Sequence, residues 1–406
     1  MSLIIQKFGG TSLADLDCIR RVARRVVGTR RAGHRVVAVV SAMGSTTDAL
    51  VRLAHRITPK PQRRELDMLL TAGERQTMAL LSLAIMELGC EAVSFTGSQV
   101  GIITDRFHSD ARIEEIRGDR LRAALRRGLV PIVAGFQGMS ADREITTLGR
   151  GGSDVTAIAL AAVLGAERCE LNKDVEGIYT ENPREFPQAR LVPEISFEEL
   201  GELAGSGSEV IHPRACALAG KYRVPLVIRS TFSRKRGTTV KQSKTLEKAF
   251  VRAITHDHEI SRITLLDVPR RGRCLHQVVT RLAERRVPVL LFSHGSLHDR
   301  RFDLAYYLPG RCREEAAETL AAIAREVGAR GIERRDDLAS VSVVGPGVGT
   351  DPEIMSGTLD TLHRVGCHLS AFSTSETRLT AYLDRRNLKT AGAALLGRFR
   401  LTGRAR

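Results

Sequence analysis

Two glycine turns hold the residues best suited to chemistry. The stretch Ile145–Asp154, ITTLGRGGSD, places an arginine, three glycines, two threonines, a serine and an aspartate directly before the apolar run Val155–Leu164. A short β-rich segment is expected to end in this turn, with Ser153 or Asp154 capping the helix that continues as VTAIALAAVLGA. Gly149, Gly151 and Gly152 allow close approach, and Arg150 offers a planar fork matched to a carboxylate or phosphate. The other turn follows the apolar strand LIIQKF, where Lys7 precedes Gly9-Gly10-Thr11-Ser12. A strand, a lysine, paired glycines and a hydroxyl cap at a helix N-terminus make a phosphate cradle, with N–H groups and helix dipole facing the anion. Lys7 precedes the glycines and no GK[ST] follows, so this is not the Walker loop. A third candidate is Glu74, beside Gly73 in LDMLLTAGERQTMALLSLAIMELG, whose helical spacing Gly73 is expected to interrupt. A glutamate there is ordinarily a surface residue, and it matters only if its turn faces the same cleft.

The elements that must position these residues alternate strand and helix. Arg35–Val40 reads as a second strand ending at Ser41-Ala42-Met43-Gly44, with Thr46, Thr47 and Asp48 starting a helix. EAVSFTG, GIITD and LVPIVAGFQG continue the strands, and CELNKDVEGIYTENPR adds one ending in Lys173-Asp174. SFEELGELAGSGSEVIHPRACALAGKYRVPLVIRSTF then supplies a helix, a glycine/serine turn, another helix and a last strand. The order predicts an open, largely parallel α/β sheet with helices on both faces and ligands at the strand C-termini. The polar, basic run Ser233–Ser243 reads as the end of this domain, followed by a linker or connecting helix. Beyond it ITLLDVP, LHQVVTRLAERR and VPVLLFS are echoed by VSVVGPG, IMSGTLDTLHRVG and CHLSAFS about eighty residues later. Each repeat has a further strand (FDLAYYL; RLTAYL), and the first has a second helix, REEAAETLAAIAREVG.

At 406 residues the chain can hold two or three domains. It lacks any apolar run near membrane-spanning length, and MSLIIQKFGG is too short for a signal peptide, so a soluble, cytoplasmic protein is expected. Its seven cysteines are scattered without a CxxC pair, so neither a zinc site nor a disulfide framework is indicated, and no metal-ligating residue is assigned. The net charge of +16 is mostly arginine dispersed along helix-like segments with few aromatics between, so nucleic acid is not an expected partner; anionic substrates are.

KFGGTS, SAMG with TTD, LLTAGER, TGSQVGIITD, AGFQG, ITTLGRGGSD, DVEGIYTENPR, VIHPRA and VPLVIRSTF occur in the order expected of aspartate kinases, within the amino-acid kinase superfamily. The chain resembles that family across its first ~240 residues. The two echoing βαββαβ units resemble the family's paired ACT regulatory domains, and Ser373–Glu376 (STSE) is similar to a family string. The resemblance implies a catalytic domain over residues 1–245 and ACT-like units over 246–332 and 333–406. It implies MgATP-dependent phosphorylation of the β-carboxylate of L-aspartate, the first step of lysine, threonine and methionine biosynthesis. Lys7 with Phe8, Gly9 and Gly10 would hold the transferring phosphate, while Ser41 and Thr47 line the cleft. Glu74 would take the substrate α-amino group and Arg150 its α-carboxylate. Asp154 would orient the lysine and the Mg2+ region. Lys173, Asp174, Tyr179, Arg184, Glu209 and Val210 would surround the nucleotide, and His212 and Arg214 would pin the turn before their helix.

Two departures fall in the nucleotide region: Lys173 where the family usually has threonine, and Glu209 where it usually has lysine. Either Lys173 restores the cation lost at 209, or the two pair as a salt bridge. In the first ACT-like unit Pro269-Arg270-Arg271-Gly272 and Phe292-Ser293-His294 replace the usual effector-binding turn and amide pair, with Phe292 placed to fill the pocket. A homodimer through the ACT units is implied, as is a separate ACT subunit from an internal start, which would need a non-AUG codon because no methionine lies between Met139 and Met355. An amino-acid kinase on another acidic substrate and a non-catalytic amino-acid sensor stay open as alternatives.

Overall fold

Strands buried along nearly their whole length need a sheet covered on both faces, and LIIQKF and RVVAVV are such strands. The computed structural model describes residues 1–242, 249–269, 274–285, 287–298 and 301–403. It divides into one unit of Met1–Tyr179, Leu191–Gly205 and Glu209–Thr245, and a second of Thr180–Arg190, Ser206–Ser208 and Leu246–Arg406. The second unit thus takes two short pieces out of the segment read as one catalytic domain.

The first unit runs Leu3–Phe8 (β1), Leu16–Arg31 (α1), Arg35–Val40 (β2), Thr46–Ile57 (α2), Arg63–Glu87 (α3), Ala92–Phe95 (β3), Ile102–Thr104 (β4), Ile113–Ile116 (β5) and Asp119–Arg126 (α4). It continues through Val130–Ala134 (β6), Gln137–Ser140 (β7), Ile145–Thr147 (β8), Gly152–Leu164 (α5), Arg168–Lys173 (β9), Glu194–Ile195 (β10), Phe197–Gly205 (α6), Pro213–Tyr222 (α7), Leu226–Ser230 (β11) and Thr238–Val240 (β12). Eight strands form one sheet in the order β10-β12-β11-β9-β1-β2-β6-β3. Every neighbouring pair is parallel except β11 with β12. GIITD does not join it: β4 pairs in a small separate sheet, β5-β4-β7-β8, which ends in the strand leading to the Gly149–Gly152 turn.

Helix α1 shows how the arginine-rich stretches fold. Ile19, Val22, Ala23, Val26 and Val27 recur at helical spacing and are buried against Leu81 and Ile85 of α3, leaving most of the arginines on the outer face. Each of the valine and isoleucine side chains contributes about 1.5–3 kcal/mol on full burial. Asp15 caps α1 by accepting from the Cys18 N–H at 2.8 Å. The expected hydroxyl cap is absent there because Gly10–Leu13 forms a separate 3-10 turn, in which Ser12 is buried on the Thr231 hydroxyl at 2.6 Å. Helix α3 passes through Gly73 without a break. A Cβ at Gly73 would lie 2.7 Å from that of Ala42, so this glycine serves close approach to the turn after β2.

The second unit comprises Ala253–Pro269 (β13), Cys274–Glu284 (α8), Leu291–His298 (β14), Arg301–Pro309 (β15), Arg313–Glu326 (α9), Gly331–Val344 (β16), Pro352–Arg364 (α10), Leu369–Ser375 (β17), Arg378–Asp384 (β18) and Leu388–Arg398 (α11). The two repeats are not consecutive beads. Their six strands form one antiparallel sheet, β14-β15-β13-β16-β18-β17, whose long central strands run through both halves. Ile260–Leu266 pairs with Gly331–Leu338, whereas Ala253–Asp257 pairs with Ser340–Val344. One core gathers Ile263, Leu282, Leu304 and Leu320, the other Ile254, Val341, Leu362 and Leu395. A boundary at 332/333 therefore crosses β16, and the strand that precedes the first repeat packs with the second. Phe292 is exposed, its ring stacked 6.5 Å from that of Tyr306, and does not fill a pocket. The altered turn at 270–272 and the connection at 243–248 lie outside the described residues.

Candidate active site

Lys7, Lys173 and Asp154 meet at the C-terminal ends of the central parallel strands. Lys7, one residue from the end of β1, is buried, and its ammonium lies 2.7 Å from Asp154 Oδ1. Lys173, the last residue of β9, donates to Asp154 Oδ2 at 2.7 Å. Strands β1 and β9 are direct neighbours, so the two lysines arrive side by side and the carboxylate sits between them. Burial would push the Asp154 carboxyl up, but the two ammonium groups overcome it and hold the group well below the usual range. Burial lowers the Lys7 ammonium from its ordinary value, with the neighbouring Lys173 charge acting in the same direction and Asp154 opposing.

Asp154 does not cap α5. Gly151 is the N-cap, in the left-handed region at φ 73°, and a Cβ there would lie 2.4 Å from that of His212. That frees the first-turn side chains: Asp154 for the lysines, and Ser153 to accept from the Ser41 hydroxyl at 3.0 Å. The helix N-terminus favours the Asp154 charge. Arg214 donates to Leu148 O at 2.6 Å, Ala111 O at 2.8 Å and Asp110 Oδ1 at 2.7 Å, so it pins the glycine turn from outside. Arg150, at the tip, is exposed and holds no ion pair among the described residues.

Glu74 is not a surface residue. It is 3 % exposed; Oε1 accepts from the Ala42 N–H at 3.0 Å, and Oε2 is buried without a hydrogen-bond partner among the described residues. Burial pushes its carboxyl up to about 7. A short path connects it to the lysines, through Ala42, its neighbour Ser41, and the Ser41–Ser153 hydrogen bond beside Asp154. Thr47 is half-buried in the first turn of α2. At the first turn, a Cβ on Gly9 would stand 3.6 Å from the Lys7 ammonium, and one on Gly10 would meet Ala42 O and Gly44 O at 3.0 Å. Bare backbone is therefore what leaves room beside the lysine. Phe8 is wholly buried in the sheet core, so position 8 can face a ligand only through its backbone.

The remaining nucleotide candidates are less gathered. Asp174 and Glu209 are exposed and Val210 is half-buried. Tyr179 donates to Glu176 Oε2 at 3.1 Å, which also receives Lys235 at 2.8 Å. Arg184 is exposed in the Thr180–Arg190 piece of the second unit. Lys173 takes Asp154 as its partner, so the expected alternative of a Lys173–Glu209 salt bridge gives way to a more buried contact.

Sequence reasoning missed Asp67. Wholly buried on α3, it accepts from the Thr147 N–H and hydroxyl at 3.1 and 2.6 Å and from the Ser109 N–H at 3.0 Å, and it contacts His108 Nδ1 at 2.9 Å. It thereby anchors the end of β8, where the Gly149–Gly152 turn begins. The signal was present: Asp67, Thr71 and Glu74 follow at i, i+4 and i+7 on the face that also buries Leu70.

This sheet and strand-end site define an amino acid kinase, and the Amino acid kinase family matches residues 2–230. The chain is 41 % identical to an aspartokinase of Mycolicibacterium smegmatis, over 99 % of this chain and 97 % of that one. It is 40 % identical to an aspartokinase of Thermus thermophilus, over 99 % of both. In structure it is similar to E. coli aspartokinase III in complex with aspartate and ADP, with a TM-score of 0.83, 24 % identity, and coverage of 98 % of this chain and 99 % of that one. The chain belongs to the aspartokinase family.

Proposed function

We infer that the chain is an aspartate kinase, transferring the γ-phosphoryl group of MgATP to the β-carboxylate of L-aspartate to give 4-phospho-L-aspartate and ADP. The observation that carries this reading is the contact path from Lys7 through Asp154, Ser153, Ser41 and Ala42 to Glu74, which joins a phosphate-facing cation to a buried carboxylate with a free oxygen. Glu74 Oε2 suits the substrate ammonium and the exposed Arg150 its α-carboxylate, which leaves the β-carboxylate for the phosphate side. The E. coli structure of similar fold holds aspartate and ADP, which supports the choice of substrate pair.

The acceptor carboxylate is ionised at neutral pH, with an ordinary pKa of about 3.9, so no strong base is required. Burial pushes the Cys216 thiol up to about 12, and the Cys169 thiol is also raised, which leaves neither as a nucleophile. Catalysis then rests on bringing two anions together and stabilising the charge in transfer. Lys7 and Lys173 supply positive charge at the strand ends, Asp154 keeps both ammonium groups oriented, and the Gly9-Gly10 backbone admits the phosphate. Both Asp154 oxygens are engaged by lysine, so this donor set fits a Mg2+ that arrives on the nucleotide phosphates. Asp174, Tyr179, Glu209 and Val210 are assigned to the nucleotide by resemblance, Arg184 with them.

We further propose that the second unit is the ACT-type regulatory pair and that the enzyme is a cytoplasmic homodimer joined through it. The outer strands β14 and β17 each pair on one edge only among the described residues, which supports joining through this sheet. Acyl phosphate trapped with hydroxylamine tests the activity, using L-aspartate beside L-glutamate and N-acetylglutamate. Turnover with aspartate alone, lost in Lys7→Ala, is the expected result; turnover with another acid, or none at saturating MgATP, would overturn the reading.

A further inference from the structure

We propose that Glu185, His256 and His258, all within the second unit, form a binding site for a divalent transition-metal ion of the zinc class. His256 and His258 stand two apart on β13 and so project from the same face of the strand. The segment Glu181–Phe186 lies against them, with Phe186 packed edge-on to the His256 ring at 5.8 Å. Three donor atoms converge. His256 Nε2 is 3.0 Å from His258 Nε2, and each is 3.1 Å from Glu185 Oε1.

That triangle matches a common ion. Ligands about 2.0–2.1 Å from one centre lie roughly 2.9 Å apart at right angles and 3.3–3.4 Å apart at the tetrahedral angle, which brackets the separations here. An ion about 1 Å out of the plane would reach all three donors at Zn–N and Zn–O distances, with the half-exposed His258 side leaving a further position to water. The outer groups are also arranged for it. Glu181 Oε1 lies 3.0 Å from His256 Nδ1, which fixes the proton on Nδ1 and turns the Nε2 lone pair into the triangle, the carboxylate–histidine arrangement that supports metal-bound imidazole. Asn182 Nδ2 donates to Glu185 Oε1 at 3.0 Å and steadies the third ligand. His256 and Glu181 are buried while Glu185 is partly so, so the ligand set is largely built before any ion arrives. Two imidazoles with a carboxylate suit Zn2+, Co2+ or Ni2+ over Mg2+ or Ca2+. The cysteine count that argued against zinc does not touch a site made of histidine and glutamate. A bound ion would tie the Glu181–Phe186 segment to β13 and stiffen that part of the second unit, independently of the kinase reading.

The test uses the untagged full chain, stripped with EDTA and dialysed, titrated with Zn2+ by calorimetry and with Co2+ by its visible absorption bands. One ion per chain is expected, with binding at least ~100-fold weaker in His258→Ala and Glu185→Gln, and ~10–100-fold weaker in Glu181→Gln, which leaves all three ligands in place. Circular dichroism confirms that each variant is folded. The inference is overturned if the parent chain takes up no ion at sub-millimolar Zn2+, if the ligand variants bind as the parent does, or if His276→Ala, outside the cluster, loses binding equally.

Discussion

Neutralising the buried glutamate should trade substrate affinity for stability. Burial raises the Glu74 carboxyl from 4.5 to about 7, while the N–H groups that face it pull the other way. Between those values the folded chain keeps a proton that the unfolded chain has released. The native state is therefore favoured at low pH, and this favour is lost as pH rises through about 7. With about 1.4 kcal/mol per unit, the contribution falls by roughly 2–3 kcal/mol between pH 5 and pH 8. Glu74→Gln keeps an acceptor for the Ala42 N–H but cannot titrate. Its stability relative to the parent should accordingly improve by roughly 2–3 kcal/mol from pH 5 to pH 8, measured from denaturant midpoints of both proteins at both pH values. The same change removes the counter-charge proposed for the substrate ammonium. Loss of a buried charged partner costs 2–5 kcal/mol, so kcat/KM for aspartate should fall about 100-fold at pH 8. Calorimetry in buffers of different ionisation enthalpy should show aspartate binding to the parent near pH 7 releasing roughly half a proton, as the bound ammonium draws the carboxyl down. A stability gap that is the same at both pH values would refute the burial argument, and unchanged aspartate kinetics in the variant would remove Glu74 from the substrate site.

Other substitutions separate positioning from contact. Arg150→Ala should raise the KM for aspartate by more than 10-fold yet move the melting temperature little, because an exposed residue without an ion pair contributes within about 0.5 kcal/mol to folding. Steady-state kinetics beside a thermal melt checks both. Gly73→Ala should cost about 1–3 kcal/mol by forcing its new Cβ against Ala42 and should weaken aspartate binding through the displaced Glu74, whereas Gly28→Ala on α1, with open space around its Cβ, should do neither. Asp67→Asn should lower stability by about 3 kcal/mol, read as a melting-temperature drop of roughly 6–12 °C, because donors at Thr147 and Ser109 lose a buried charged acceptor.

What could be read in the sequence was what repeats or lasts. The apolar strands β1, β2 and β6, the helix after ITTLGRGGSD and the parallel order were legible because runs of β-branched residues and helical spacing extend over many positions. Strand β12 was hidden in a basic stretch because it has three residues, too few for a period. It is held by pairing with β11 and by the buried Thr238 hydroxyl, which donates to Val192 O at 2.6 Å and accepts from the Ile178 N–H at 2.8 Å. The continuity of β13 was masked by irregular pairing after Asp257 and Leu265, which breaks the alternation that marks a strand. At the site, the types and order of Lys7, Glu74, Arg150 and Asp154 were visible, but burial was not. That Glu74 has an unpartnered oxygen and that Asp67 supports the turn depend on how α3 packs, which Gly73 permits and no single residue announces.

The Lys173 position shows how far packing can revise a sequence argument. Read in line, Lys173 and Glu209 look like one exchange of charge, because the family resemblance marks both as departures. In three dimensions their environments differ: Glu209 is exposed, where solvent and salt weaken any pairing, while Asp154 is 3 % exposed and already shares its charge with Lys7. A lysine at the end of β9 therefore gains more from the buried carboxylate, where attraction is stronger per contact. The outcome is a cluster of two ammonium groups and one carboxylate with a net positive charge of one, at the strand ends where a nucleotide phosphate is expected. Such a cluster is incomplete without an anion, and burial together with Lys173 lowers the Lys7 ammonium until one comes. An arriving phosphate would supply the missing negative charge and draw Lys7 back toward its ordinary value. On that reading Lys173 would strengthen the phosphate end of the proposed site, whereas Glu209, exposed, would act on a nucleotide only from the rim.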